Sequence, residues 1–398
     1  MSVVHFVFVV LFPLMGPVCG VVASCTLVRP RRWSRVAKVV ATGAILACSM
    51  KFTWFAVFGG RMFQPELPAW VIHAMSVAYD VVLLLAGVGM CAAAASGVLR
   101  LFRGGARGRQ ELSVQASSRM RRRDFVVGCL SAATVPAAVA TVRAGIRLPV
   151  VRRVELSFPD LPAAFDGYRI VQLSDLHISA AARAERTEGV VRLANACRPD
   201  LLVVTGDIVD GTVRAHREDV EPLGRLVAKD GVLGCNGNHE YYSDPFRWAV
   251  EFDRLGIRML RNEAADVRRG DDAITVIGQN DPVSGDTDIS AAASSASPFR
   301  ILLAHRPTRL AEHAALGVRL QLSGHTHGGA VLGIDRLVAR ANEGHVRGLY
   351  REHGMLLYVN AGTGQWAGFP ERAGIPTEIT EIVLRRDGRY GRGGVDMV

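Results

Sequence analysis

The order of apolar and polar positions divides the chain into two regimes. In the first 145 residues the apolar positions come in long blocks, at 3–25, 37–58, 70–99 and 125–142. A bilayer core takes roughly 20 apolar residues of helix. The first three blocks read as membrane spans, and the fourth, shorter and interrupted by Pro136, as a weaker one. From residue 168 the pattern changes. Short runs rich in Val, Ile and Leu stand at 169–173, 201–205, 231–235, 274–277, 301–303, 320–322, 356–359 and 379–384, with amphipathic stretches such as 182–196 and 245–255 between them. Such runs mark strands buried on both faces, and their alternation with helices predicts an α/β fold. The expected organisation is an all-α transmembrane anchor of about four helices over 1–145, a linker at 146–160 and a folded domain over 161–390. The Ser/Ala/Asp-rich stretch 284–298 reads as an exposed loop.

Charge sharpens the division. Residues 1–150 hold 17 Lys/Arg against 4 Asp/Glu, and residues 151–398 hold 30 against 33. The net charge of +10 therefore belongs to the anchor. The folded domain, at −3, lacks the basic surface that binding an extended polyanion requires, so no nucleic-acid partner is expected. Basic residues cluster after the first block (Arg29, Arg31, Arg32, Arg35, Lys38) and after the third (Arg100 to Arg123), whereas the intervening loop carries only Arg61 and Glu66. Basic loops stay cytoplasmic. The expectation is a multi-pass protein of the cell membrane with its amino terminus and its folded domain outside the cytoplasm. Arg143, Arg147, Arg152 and Arg153 stand against that: a fourth block lying on the membrane surface would leave the domain inside. Arg122-Arg123-Asp124-Phe125-Val126 reads either as a twin-arginine-like signal or as the basic flank of a span. Lys51 and Asp80 interrupt the second and third blocks, where they either pair within the membrane or reach its outer interface. None of the seven cysteines forms a CxxC pair. Cys197 and Cys235 are expected as buried small residues, with a disulfide between them left open.

The polar residues of the folded domain are not scattered. Leu173-Ser174 leads to Asp175-Leu176-His177, and Val204-Thr205 leads to Gly206-Asp207-Ile208-Val209-Asp210. Gly234-Cys235 leads to Gly237-Asn238-His239-Glu240, Leu303-Ala304 to His305, and Gln321-Leu322 to Gly324-His325-Thr326-His327. Each motif alone is weak, because a single His or Asp after a strand is usually a hydrogen-bonded structural residue. Five in succession, each at the end of an apolar run, point to one crevice at the carboxyl ends of strands. Arg306 is left between phosphate contact and an ordinary ion pair. His216, His313, His345 and His353 fit no motif and read as structural or surface residues.

In this order the five motifs resemble the calcineurin-like metallophosphoesterase family, and within it the membrane-anchored bacterial branch. Further support lies in Leu303-Ala304-His305-Arg306-Pro307, Gly328-Gly329 and Gly362-Thr363-Gly364. Ala330 departs from the Gln common in that branch, and Asn360-Ala361-Gly362 from its Arg-Gly. Neither position is a metal ligand. The resemblance implies a metallophosphoesterase-type β-sandwich flanked by helices. It also implies two divalent transition-metal ions (Mn, Fe, Zn or Ni), one held by Asp175, His177, Asp207 and His327 and the other by Asp207, Asn238, His305 and His325, with Asp207 bridging. Imidazole and carboxylate without thiolate suit such ions. It implies hydrolysis of a phosphodiester or pyrophosphate by a metal-bridging hydroxide; the anchor adds a membrane lipid or nucleotide-linked lipid as a candidate substrate, and suits soluble nucleotides near the membrane as well. His239 would serve the leaving oxygen and Asp210 would orient it. The competing readings are a membrane sensor or scaffold with a structural metal site, and a metal-dependent nuclease.

Overall fold

The computed structural model describes residues 12–103, 122–294, 297–387 and 395–397. The chain forms two compact units, Met1–Val142 and Arg143–Val398.

The first unit is helical: α1 (Phe12–Ala23) running on into a π-turn, α2 (Arg35–Ser49), α3 (Lys51–Gly59), α4 (Ala69–Arg103) and most of α5 (Arg122–Ile146). Among the described residues two stretches, Ala69–Val98 and Asp124–Ile146, are long and apolar enough to cross a membrane. At the second expected span α2 and α3 meet at a 64° bend and are long and apolar enough to cross a membrane only when taken together. The start of the first expected span lies outside the described residues, as do Arg107, Arg109, Arg119 and Arg121 of the basic loop. Lys51 opens α3 at the bend. It is buried, its Nζ 4.7 Å from the Tyr79 ring centroid and 5.0 Å from that of Phe52, where aromatic faces offset the loss of water around an ammonium. Asp80 accepts from Thr141 Oγ1 at 3.1 Å.

The second unit holds two facing sheets. One has the order β13-β1-β12-β2-β3-β4-β5 and the other β10-β11-β9-β8-β7-β6. Its elements follow as β1 (Val150–Ser157), β2 (Arg169–Leu173), α6 (Ala184–Ala196), β3 (Leu201–Thr205), α7 (Val213–Val220), β4 (Val232–Cys235), α8 (Asn238–Tyr242) and α9 (Pro245–Arg254). Then come β5 (Ile257–Met259), β6 (Glu263–Arg269), β7 (Asp272–Gly278), α10 (Ser290–Ser294), β8 (Arg300–Leu303), α11 (Leu310–Ala315) and β9 (Val318–Ser323). The unit ends with α12 (Asp335–Ala341), β10 (Gly348–Glu352), β11 (Met355–Val359), β12 (Glu378–Arg385) and β13 (Val395–Met397). The stretch 146–160, expected as a linker, instead carries β1. Adjacent Arg152 and Arg153 interrupt it, and buried Val154 and Leu156 then flank half-buried Glu155, so it packs as a strand without showing an apolar run. The stretch 284–298 is not all loop, since it holds the short helix α10.

The continuous apolar runs have a simple cause. Successive side chains of a strand point to opposite faces, and both faces are covered. Leu201 and Val203 of β3 pack in the core between the sheets, while Leu202 and Val204 pack under the helices. In β8, Ile301 and Leu303 face the same central core and Leu302 the outer one. β2, β3, β4 and β5 are parallel, as are β7, β8, β9 and β11.

The loops at the carboxyl ends of β3 and β4 are tied together by buried Glu240. Its carboxylate accepts from the backbone N–H of Gly237 and Ile208 at 2.7 Å each, of Asp207 at 3.1 Å and of Val209 at 3.3 Å. Burial and the neighbouring Asp207 push its pKa up to about 7. Glu240→Ala would leave these donors buried without an acceptor, at about 1–3 kcal/mol for each unsatisfied group. The variant is expected to lose at least about 3 kcal/mol of stability in urea denaturation. A loss below about 0.5 kcal/mol, the range of ordinary surface substitutions, would contradict this bracing role.

Candidate metal centre

The motifs converge because the backbone curls sharply at each strand end. Asp175, His177, Asp207, His325 and His327 all have positive φ, between 45° and 70°. Non-glycine residues rarely adopt this left-handed region, and such strained positions cluster at functional sites. Here the curl turns both polar residues of Asp175-x-His177 and of His325-x-His327 toward one point. Two motif glycines leave room for carboxylates. A Cβ on Gly237 would stand 2.1 Å from Asp207 Oδ1, and one on Gly324 would stand 2.1 Å from Asp175 Oδ2.

The side chains form two donor groups. In the first, Asp175, His177 and His327 bring one donor atom each within 4.8 Å of one another. His177 Nε2 and His327 Nε2 are 3.0 Å apart, and Asp175 Oδ1 is 3.6 Å from His327 Nε2. In the second, His305 Nε2 lies 3.1 Å from Asp207 Oδ2 and 3.3 Å from His325 Nδ1. Asp207 Oδ2 is also 3.9 Å from His177 Nε2, so this carboxylate stands between the groups. Asn238 precedes His239, whose backbone N–H donates to Asp207 Oδ1 at 2.8 Å, and its own buried Oδ1 has no hydrogen-bond partner among the described residues. The seven residues expected as ligands are thus brought together. The set fits divalent cations: two imidazole nitrogens facing each other at 3.0 Å need a proton or a cation between them, and a buried carbonyl oxygen without a donor is costly. His325 and His327 are held neutral, their pKa values pushed well down by burial and by neighbouring His305 and His177. A metal ligand requires this unprotonated form.

Around these atoms lies a shell that fixes ring orientation. Asp210 Oδ1 takes Nδ1 of His177 at 3.0 Å and Nδ1 of His239 at 2.6 Å. Both rings therefore present Nε2 to the centre. Burial opposes the charge of Asp210, but His177 and His239 together outweigh it and hold the carboxyl well below its usual range. His305 Nδ1 donates to the Thr205 carbonyl at 2.8 Å, which frees its Nε2. Burial likewise works against protonation of His239, but Asp207 and Asp210 raise its pKa to about 9. Its ring stands 5.5 Å from that of Trp366.

Several functional contacts had no signal in the sequence. Asp210 was expected to orient His239 alone, yet it also orients His177. Arg372, fully buried, donates to the His327 carbonyl at 3.0 Å, to His327 Nδ1 at 3.2 Å and to the Gly364 carbonyl at 3.1 Å. It follows a Gly/Pro-containing loop rather than an apolar run. Arg306 forms the ion pair, bidentate with Asp281 at 2.7 and 3.1 Å. His216, His313 and His345 are buried and hydrogen-bonded to Asp219, Gln321 and Glu352, while His353 is exposed. Cys197 is half-buried, Cys235 is buried in β4, and both are free thiols.

The calcineurin-like phosphoesterase family profile matches residues 168–329. A transmembrane protein with metallophosphoesterase domain from Danio rerio is 35% identical over 257 residues, 60% of this chain and 58% of that one. Its Bos taurus namesake is 32% identical over 279 residues, 65% of this chain and 60% of that one. The chain thus spans about three fifths of the length of these two relatives. The uncharacterised metallophosphoesterase YkuE of Bacillus subtilis is 33% identical over 236 residues, 56% of this chain and 82% of that protein. With a relative matched at this level over four fifths of its length, and with the strand-end motifs meeting in one place, the chain belongs to the calcineurin-like metallophosphoesterase family.

Proposed function

We propose that the chain is a membrane-anchored phosphoester hydrolase working with two divalent transition-metal ions. The observation that carries this reading is the position of Asp207, whose Oδ2 lies within 3.9 Å of donor nitrogens in both groups. Asp175, His177, Asp207 and His327 would hold one ion, and Asp207, Asn238, His305 and His325 the other. Such ions, when bound, supply positive charge that neutralises phosphoryl oxygens and lowers the pKa of water at the site. Asp207 offsets their mutual repulsion. Asp210 keeps His177 in the tautomer that turns Nε2 inward, and Arg372 fixes the ring and the carbonyl of His327.

His239 acts on the proton of the leaving group. Its Nδ1 pairs with Asp210 Oδ1 at 2.6 Å, and its Nε2 faces the centre, 3.9 Å from Asp207 Oδ2. Asp210 favours the protonated form of His239 that a general acid needs. The substrate class is a phosphodiester or pyrophosphate, with membrane lipids and nucleotide-linked lipids among the candidates. The basic loops favour a multi-pass arrangement with the catalytic unit outside the cytoplasm.

Two experiments test these points. With a bis-aryl phosphodiester and the full chain supplied with Mn, Asp207→Ala should abolish turnover. His239→Ala should reduce turnover by about a hundredfold or more while metal content stays at the wild-type level. A His239→Ala protein that loses its metal would overturn the leaving-group role. For topology, alkaline phosphatase fused after Pro149 in place of the catalytic unit should be active. A silent fusion expressed at normal levels would place that unit in the cytoplasm.

A further inference from the structure

The chain enters the catalytic unit at its metal-binding end. β1 begins at Val150, paired in parallel with Glu378 at the start of β12. β12 runs antiparallel to β2, with Thr380 opposite Gln172. The start of β1 therefore lies beside the carboxyl end of β2, the end that leads to Asp175. Only Arg147, Leu148 and Pro149 separate β1 from α5, which carries a stretch long enough to cross a membrane. Three residues reach at most about 10 Å. A bilayer around that stretch keeps its surface close to the metal-binding end of the sandwich.

That end also exposes aliphatic side chains. After His327 the chain passes Gly328-Gly329 and forms bridges from Val331 to Ala373 and Gly374 before α12. Leu332, Ile334 and Leu337 are 59%, 50% and 63% exposed. Arg336 and Arg340, also exposed, make no ion pair among the described residues, while Asp335, the one acid of α12, is taken by Arg347 at 3.2 Å. The loop before Ala373 adjoins the entry segment: a Cβ on Gly145 would stand 1.8 Å from the Pro370 carbonyl oxygen. Beside it Ile146 and Leu148 are exposed, flanked by exposed Arg143 and Arg147. One edge of the unit thus joins the point of entry, bare aliphatics, unpaired arginines and the loop leading from a proposed metal ligand. Protruding aliphatics with flanking arginines match the apolar and anionic layers of a membrane interface.

We propose that segment 331–340, together with the entry segment, is a bilayer-docking surface that turns the metal-binding end toward lipid headgroups. The occupant is the bilayer itself, because the chain brings this edge to it and the charge is complementary to anionic headgroups. Another exposed apolar pair, Phe246 and Val250 on α9, serves as an internal control. It lies by β5, five strand spacings from β1, or about 24 Å.

The test uses the full chain in nanodiscs of phosphatidylcholine and phosphatidylglycerol containing a photoactivatable diazirine phospholipid, with adducts located by mass spectrometry. Lipid adducts are expected on the peptide bearing 331–340 and not on the one bearing Phe246 and Val250. Replacing Leu332, Ile334 and Leu337 together by Glu should cause loss of the adducts on that peptide. The wild-type pattern decides the matter even if the triple variant fails to fold. Labelling of Phe246 and Val250 equal to or above that of 331–340, no lipid adduct on 331–340, or chain-to-chain cross-links there instead would each overturn the proposal. The readout needs no turnover, so failure of the hydrolase reading would leave this result intact, and the reverse also holds.

Discussion

A buried carboxylate set among imidazoles governs the catalytic unit. Asp207 lies at the end of β3 with almost no solvent exposure. Burial disfavours its charge, yet His305 and His239 outweigh that penalty and hold its pKa well below the usual range. The neighbours must stand close for this to happen, and they come from strands far apart in the chain. The left-handed turns at Asp175, His177, Asp207, His325 and His327 are the local cost of that crowding. Strain of about 1–3 kcal/mol at each such position persists only where the surroundings over-determine it. Glu240 supplies part of that constraint by gathering four backbone N–H groups from two loops.

The sandwich makes the crowding achievable. Parallel strands in each sheet deliver their carboxyl ends to one side, and a core filled from both sheets fixes the distance between those ends. The residues nearest the centre can then be polar, because the strands behind them are apolar on both faces. The same topology sets where the chain enters: β1 runs against β2, so the membrane-proximal residues arrive at the side that carries the donors. The point of entry and the donor groups share one end of the unit for a reason of strand direction alone.

Legibility in the sequence followed the same physics. β2 and β3 were readable to the residue because burial on both faces leaves a dense apolar run, interrupted in β2 only by Arg169 at its start and the buried, hydrogen-bonded Gln172. β1 and β6 were not: Val-Val-Arg-Arg-Val-Glu-Leu-Ser is broken by two adjacent arginines and a glutamate next to a basic segment, and Glu-Ala-Ala-Asp-Val-Arg-Arg is an edge strand with one solvated face. The donors were readable because each follows a run directly. Arg372 follows none, and its partner His327 is 45 residues away. The second bond of Asp210, to His177 across 33 residues, likewise has no local trace. Lys51 shows the limit within the anchor: whether a charge in an apolar block reaches water or an aromatic cage depends on a bend that the block itself does not announce.

The most direct measurement is the metal content of the purified full chain after supplementation with Mn, Fe, Zn or Ni, read by elemental analysis against protein concentration. Two donor groups sharing Asp207 predict about two equivalents per chain, falling together when Asp207 is replaced by Ala. Folded protein that takes up no transition metal under any supplement would contradict the account.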